Sequence, residues 1–334
     1  MKIVPMKIVP TKIVIVGAGA TGAFLGARMA RAGVDVTLVA RGAHLAAMRE
    51  RGVEVREADG SFVAHPPCTD DLAVVGDADA VILTLKAHSL PEMAPRLGPL
   101  LGPDTAVVTA QNGIPWWYFD RHGGPLDGTR LRTVDPGGVI AAHLAARRVV
   151  GCVVYPATSL VAPGVVEHVE GTRLSLGELD GTSSERCRAI AAALIKGGLK
   201  APIRARIRDE IWLKLLGNVC FNPLSALTRA TMAQIATDPE MRAVARAIME
   251  EADSVARALG IELAIGVDQR LAGAEKVGAH KTSMLQDVES GRPPEVEAVV
   301  GAVVEIADLL RLPLPHLRTV YACTRLLDQG LRGA

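Results

Sequence analysis

Short, mostly apolar runs punctuate the first half of the chain. They are Ile13-Val14-Ile15-Val16, Asp35–Val39, Ala80–Leu85 and Thr105–Ala110. Mostly apolar runs of this length fit strands buried on both faces of a parallel sheet. An Ala-rich helical stretch ending near Arg31 separates the first two. Further on, Val149–Tyr155, Gly164–Val169 and Arg173–Glu178 read as strands, the last two as a hairpin. An amphipathic helix over Ser183–Lys196 and a short strand over Ala201–Ala205 follow. Beyond about Ile207 the strand signals stop and five or more helical segments take over. One opens at Asp238-Pro239-Glu240, an N-cap followed by proline at the first helical position. Another runs from Pro294 to Leu312 and is closed by Pro313. The pattern predicts an α/β chain: a doubly wound sheet domain over residues 11–206, then an all-α domain over 207–330.

The turn after the first strand narrows this picture. Gly17-Ala18-Gly19-Ala20-Thr21-Gly22 has a buried strand before it and a helix after it. In that setting Gly17 allows a tight turn, Gly19 lets the backbone approach a pyrophosphate, and Gly22 lets helix and strand pack closely. The helix N-terminus then offers N–H groups to the phosphates. This is the Rossmann-type arrangement for a dinucleotide. At the end of the second strand, where an NAD site usually carries an acid for the ribose, the chain has Ala40-Arg41-Gly42. A guanidinium holds a 2′-phosphate through paired charge-assisted bonds, so the expected cofactor is NADPH/NADP. Lys86 ends the third apolar run on the same edge of the sheet, although a lysine there is more often simply solvated. Asn112, in Gln111-Asn112-Gly113, sits where a strand end faces the cofactor, although Asn-Gly also makes ordinary turns.

In the helical half, Lys214, Asn218 and Asn222 recur every four residues. They drift only about 40° per step and share one helix face. Their neighbours Trp212, Leu213, Leu215, Leu216, Val219, Phe221 and Leu224 are apolar, and Lys214 is the only charge between Trp212 and Thr228. An ammonium and two amides in such a helix fit the lining of a polar pocket better than a solvated stripe. Ser283 and Glu295 complete the candidates. Each also has a local reading: Ser283 or Thr282 as an N-cap, Glu295 as an acid near a helix start.

Composition excludes several classes. The 334 residues are 49% hydrophobic with 37 basic and 36 acidic side chains, which argues against disorder and against a basic nucleic-acid footprint. The uncharged stretch Val149–Val166 contains Gly151, Pro156, Pro163 and Gly164 and reads as strands and a turn, so no membrane span is expected. Five scattered cysteines without a Cys-x-x-Cys pair, and no secretory signal, fit a reduced cytoplasmic protein. The histidines show no metal-ligand spacing, so no metal is expected. Residues 1–10 repeat Met-Lys-Ile-Val-Pro and are set aside as a duplicated or alternative start. Aromatics make up 3% of the chain, yet Trp116, Trp117, Tyr118 and Phe119 are consecutive. On a helix opened by Pro115 they cannot share a face, so some should be core and some should face a pocket or partner.

From Lys12 to about Leu327 the chain resembles the ketopantoate reductase family (2-dehydropantoate 2-reductases). The resemblance is carried by GAGATG at 17–22, LK at 85–86, QNG at 111–113, KLLGNVCFNPLSAL at 214–227 and TSMLQDVESGRPPEVE at 282–297. It implies NADPH-dependent reduction of a 2-oxo acid, ketopantoate to (R)-pantoate in pantothenate biosynthesis, with substrate in a cleft between the domains and a homodimer as a candidate assembly. By the same resemblance Lys214 is the proton donor, and Asn218, Asn222 and Ser283 contact substrate. Asn112 holds nicotinamide and substrate, Glu295 orders the cofactor ribose and substrate, Arg41 and Lys86 serve NADPH selectivity, and the backbone of Thr158 touches the cofactor. The Trp116–Phe119 run and the Val134–Gly138 insert depart from the biosynthetic pattern. They leave open a relative resembling D-2-hydroxyacid dehydrogenases that acts on a bulkier 2-oxo acid. A non-catalytic NADP(H) sensor is the competing class.

Overall fold

The computed structural model describes residues 12–278 and 280–333; the duplicated pentapeptide of residues 1–10 lies outside the described residues. The chain forms two compact units. The first comprises the residues up to Gln111 together with Phe119–Thr129 and Gly138–Ile207; the second comprises Asn112–Tyr118, Arg130–Gly137 and the chain from Arg208 onward.

The first unit follows the order β1 (Ile13–Val16), α1 (Ala20–Arg31), β2 (Val36–Val39), α2 (Gly42–Arg51), β3 (Val53–Glu57), β4 (Gly60–Ala64), β5 (Cys68–Thr69), β6 (Ala80–Leu83), α3 (Leu90–Met93) and β7 (Ala106–Thr109). It continues with α4 (Val139–His143), β8 (Val149–Val154), β9 (Ala157–Ala162), β10 (Val165–Glu170), β11 (Leu174–Glu178) and α5 (Glu185–Lys196). Seven strands form the main sheet in the order β11-β8-β7-β6-β1-β2-β5. β5 through β8 run parallel, and β11 pairs antiparallel with β8. Counted from the β5 edge, the six parallel strands have the Rossmann order 3-2-1-4-5-6. The topological switch therefore falls between β1 and β6, at the turn carrying the glycines. All four residues of β1 are fully buried, as an apolar run with no polar face requires.

A second sheet, β4-β3-β10-β9, was only partly foreseen. The sequence paired Gly164–Val169 with Arg173–Glu178 as a hairpin. The observed antiparallel partner of β10 is instead β9, whereas β11 returns to β8 in the main sheet. Gly164, at φ +82°, makes the turn between β9 and β10. β11 is buried throughout, which suits the main sheet, and the predicted pairing would have left it on an exposed hairpin. The short strand expected over Ala201–Ala205 is reduced to isolated bridges, Arg173 with Lys200 and Leu176 with Ile203.

The second unit contains α6 (Ile207–Thr228), α7 (Met232–Thr237), α8 (Pro239–Ala258), α9 (Val267–Lys276), α10 (Ser283–Glu289), α11 (Ala302–Leu310) and α12 (Pro315–Gly333). Asp238 caps α8, its Oδ1 accepting from the Met241 N–H at 2.9 Å, with Pro239 at the first position as predicted. The helix expected from Pro294 to Leu312 contains a π-helical turn over Glu297–Gly301 before α11. Among the described residues no helix is long and apolar enough to cross a membrane.

The helix expected after Pro115 does not form. Residues 116–120 make turns, and Trp116, Trp117, Tyr118 and Phe119 are all at most 5% exposed. Turns can direct consecutive side chains inward where a helix would rotate them about its axis by about 100° each. None of the four therefore faces solvent.

Candidate active site

In the first unit the glycine turn is tied to the end of β2, because the N–H groups of Gly17 and Ala18 both donate to the Val39 carbonyl at 3.1 and 2.9 Å. Gly17 has φ +96°, and a Cβ there would lie 2.7 Å from Leu85 Cδ2, so both conformation and space require glycine. A Cβ on Gly22 would lie 2.5 Å from Thr84 Oγ1, which itself donates to the Gly17 carbonyl at 2.9 Å. Beside Gly19, by contrast, the nearest atom is 4.0 Å from where a Cβ would stand. That open side lies at the N-terminus of α1, which has no side-chain cap and no acid in its first turn. Backbone donors and a helix dipole with no competing carboxylate suit an anion. The residues fit a dinucleotide pyrophosphate.

The other first-unit candidates surround this turn. Thr21 Oγ1 and Thr158 Oγ1 are 3.1 Å apart and share a hydrogen bond, which joins α1 to β9. Arg41 is exposed at the N-cap of α2, directly after the β2 end, and half-buried Lys86 heads a short 3-10 turn after β6. His44 also lies on α2, three residues after Arg41. Its Nδ1 accepts from the Gly164 N–H at 2.9 Å, and burial lowers its pKa below the usual histidine value.

In the second unit three predicted residues form a hydrogen-bonded chain. Lys214 Nζ on α6 donates to Asn112 Oδ1 at 2.6 Å, and Asn112 Nδ2 donates to Glu295 Oε2 at 3.2 Å. Glu295 is buried and Lys214 half-buried. An amide is suited to this bridging place because it accepts through oxygen and donates through nitrogen, so it can meet ammonium and carboxylate at once. Asn218 and Asn222 follow one and two turns along α6, half-buried and buried respectively. A helix that buries Trp212, Leu215, Leu216, Val219 and Phe221 keeps this polar stripe in register by its period alone. Ser283 is exposed at the first position of α10, and the capping role falls to Thr282, whose Oγ1 accepts from the Leu285 N–H at 3.2 Å.

Several supports of this chain were invisible in the sequence. The Ile114 N–H donates to the Ala298 carbonyl in the π-helical turn at 2.8 Å. Gly113 has φ +82°, and a Cβ on it would stand 2.2 Å from the same carbonyl oxygen. Trp212 Nε1 donates to Tyr118 Oη at 2.7 Å, and Arg208 Nε to the Tyr118 carbonyl at 2.8 Å. The aromatic run was the only hint of these contacts.

Comparison with known proteins points to one family. Residues 13–116 match the ketopantoate reductase PanE/ApbA family, and residues 206–328 match its C-terminal domain. A 2-dehydropantoate 2-reductase from Mesorhizobium japonicum is 50% identical over 317 residues, spanning 95% of this chain and 97% of its own. Among solved structures, a provisionally named ketopantoate reductase from Ralstonia solanacearum MolK2 superposes with TM-score 0.91 at 42% identity, covering 96% of this chain and 99% of its own. A dimeric ketopantoate reductase from Staphylococcus aureus, 23% identical with TM-score 0.74 and covering 96% of this chain and 99% of its own, shares the fold.

Proposed function

The chain belongs to the ketopantoate reductase family, and from that premise we propose that it reduces 2-dehydropantoate to (R)-pantoate with NADPH. The observation that carries the reading is the Lys214–Asn112–Glu295 chain, an ammonium fixed in direction by an amide that a buried carboxylate holds in turn. Residues 11–206 carry the cofactor-binding elements, and residues 207–330 carry most of the substrate chemistry, with Asn112 joining them from earlier in the chain.

When bound, NADPH would supply the hydride; the Gly17–Gly22 turn would hold its pyrophosphate and Arg41 its 2′-phosphate, with Lys86 and Thr158 as further cofactor contacts. As hydride reaches the ketone carbon, the carbonyl electron pair moves onto oxygen and negative charge develops there. Lys214 stabilises that charge and transfers one ammonium proton to the oxygen, leaving a neutral amine that solvent reprotonates. The product is the 2-hydroxy acid. General-acid help of this kind contributes about 10²–10⁴-fold. The ammonium charge of Lys214 also attracts the substrate carboxylate. Asn218, Asn222 and Ser283 orient the substrate by hydrogen bonding.

Steady-state NADPH oxidation with ketopantoate against phenylpyruvate and other bulky 2-oxo acids tests the reading. Strong preference for ketopantoate is expected, and equal or better turnover of an aromatic 2-oxo acid would overturn the substrate assignment. The proposal extends to a homodimer, the state of the Staphylococcus aureus relative; sedimentation equilibrium at a monomer mass would refute it.

A further inference from the structure

The aromatic run Trp116–Phe119 has no part in the chemistry above, yet it sits between the residue that bridges the catalytic chain and the helix that carries the lysine. Asn112 belongs to a short segment, Asn112–Tyr118, with no regular hydrogen-bonding ladder to hold it. A turn of this kind needs external ties if its side chain is to keep a fixed direction. At its start the ties are the Ile114 N–H on the Ala298 carbonyl and the close approach of Gly113 to the same group. At its end the ties are made by Tyr118. The phenol oxygen accepts from Trp212 Nε1, the backbone carbonyl accepts from Arg208 Nε, and the Arg208 guanidinium lies 5.8 Å from the Tyr118 ring centre. Tyr118 and Trp212 are both fully buried, where an indole N–H left without an acceptor destabilises the fold. The pair is therefore specific in direction as well as tightly packed. Trp212 and Arg208 precede Lys214 by two and six residues on the same helix.

We propose that Tyr118 and Trp212 are positioning residues that lock the Asn112 segment onto α6 and so set the Lys214–Asn112 hydrogen bond. They act through Asn112 and touch neither substrate nor cofactor. The proposal rests on the reading of Lys214 as proton donor for its kinetic consequence, but the position of Asn112 against Lys214 can be measured without turnover.

Tyr118→Phe keeps the ring and removes the hydroxyl that accepts from Trp212, while Trp212→Phe removes the indole donor; the second variant serves if the first fails to fold. In either, kcat should fall about 10-fold or more with KM for NADPH unchanged, since small misplacements at a reacting centre are costly. In an Asn112→Ala background the same substitutions should cause little further loss, because the residue through which they act is already gone. A purely structural role predicts losses that multiply, which would overturn the proposal, as would unchanged kcat. Independently of activity, an NMR titration of the Lys214 side chain, assigned with Lys214→Ala, should show its pKa lowered in Tyr118→Phe and lowered no further in the double variant with Asn112→Ala. A Lys214 titration identical to wild type refutes the positioning role even if the enzyme is active. Wild-type protein without 2-oxo acid reduction refutes the functional reading while leaving the titration to judge the positioning.

Discussion

At the scale of single residues, the chemistry depends on charge placed in a fixed direction. Lys214 is directed by a short hydrogen bond to an amide, so its loss should act on the reaction far more than on binding of the dinucleotide. Lys214→Ala is expected to lower kcat by about 10²–10⁴-fold with NADPH affinity nearly unchanged, measured by steady-state kinetics and cofactor titration. Near-normal turnover would remove Lys214 from its role. Arg41 is the converse case, an exposed guanidinium proposed above to hold the 2′-phosphate. Arg41→Ala should raise KM for NADPH by about 10-fold, one lost charge-assisted contact of roughly 1.5 kcal/mol, and leave KM for NADH almost unaltered. Parallel losses with both cofactors would show that the side chain does not read the phosphate. Both residues stand out in the sequence because each breaks a local expectation: a lone cation in the apolar stretch from Trp212 to Thr228, and a basic residue where an acid is usual. His44 breaks none, and only its hydrogen bond to Gly164 brings it into view.

Elements were legible wherever the periodicity of the chain decides their surroundings. The four buried strands and the long helix of Lys214 followed from apolar runs and a four-residue spacing, and the α8 N-cap from a three-residue signature. Pairing was less legible. β10 could be matched with β11 or with a preceding strand by pattern alone, and the preference for β9 depends on the turn at Gly164 and on the buried place of β11 beside β8. The π-helical turn at Glu297–Gly301 gives no sequence signal, yet it supplies the carbonyl against which the Asn112 segment rests. Gly113→Ala tests that contact. Its Cβ would intrude on the Ala298 carbonyl in a left-handed backbone conformation, so the variant should lose about 1–3 kcal/mol of stability by denaturant unfolding and most of its turnover. Wild-type kcat in this variant would mean that the Asn112 segment tolerates displacement.

For the whole molecule, burial decides which groups are reachable. Cys220 is fully buried and its thiol is pushed far above the ordinary range, and burial raises Cys187 to about 11. Cys323 on α12 is exposed. A thiol reagent at pH 8 should therefore modify Cys323 first, with Cys187 and Cys220 reacting only after denaturation, as read by mass spectrometry. Rapid native labelling of Cys220 would contradict the packing of α6. The sequence by itself determined what is local: a glycine turn between a buried strand and a helix, a cation where a 2′-phosphate would bind, and a polar stripe held on one helix face by the 3.6-residue period. The folded chain alone decided what is distant. It brings Asn112 to Lys214 across 102 residues and to Glu295 across 183, turns an aromatic run that pattern assigned to a helix into a buried turn, and gives that turn its partner in Trp212. Periodicity reports which way a side chain faces from its own element. Which group it meets there depends on the packing of elements far apart in the chain, and no local pattern encodes that.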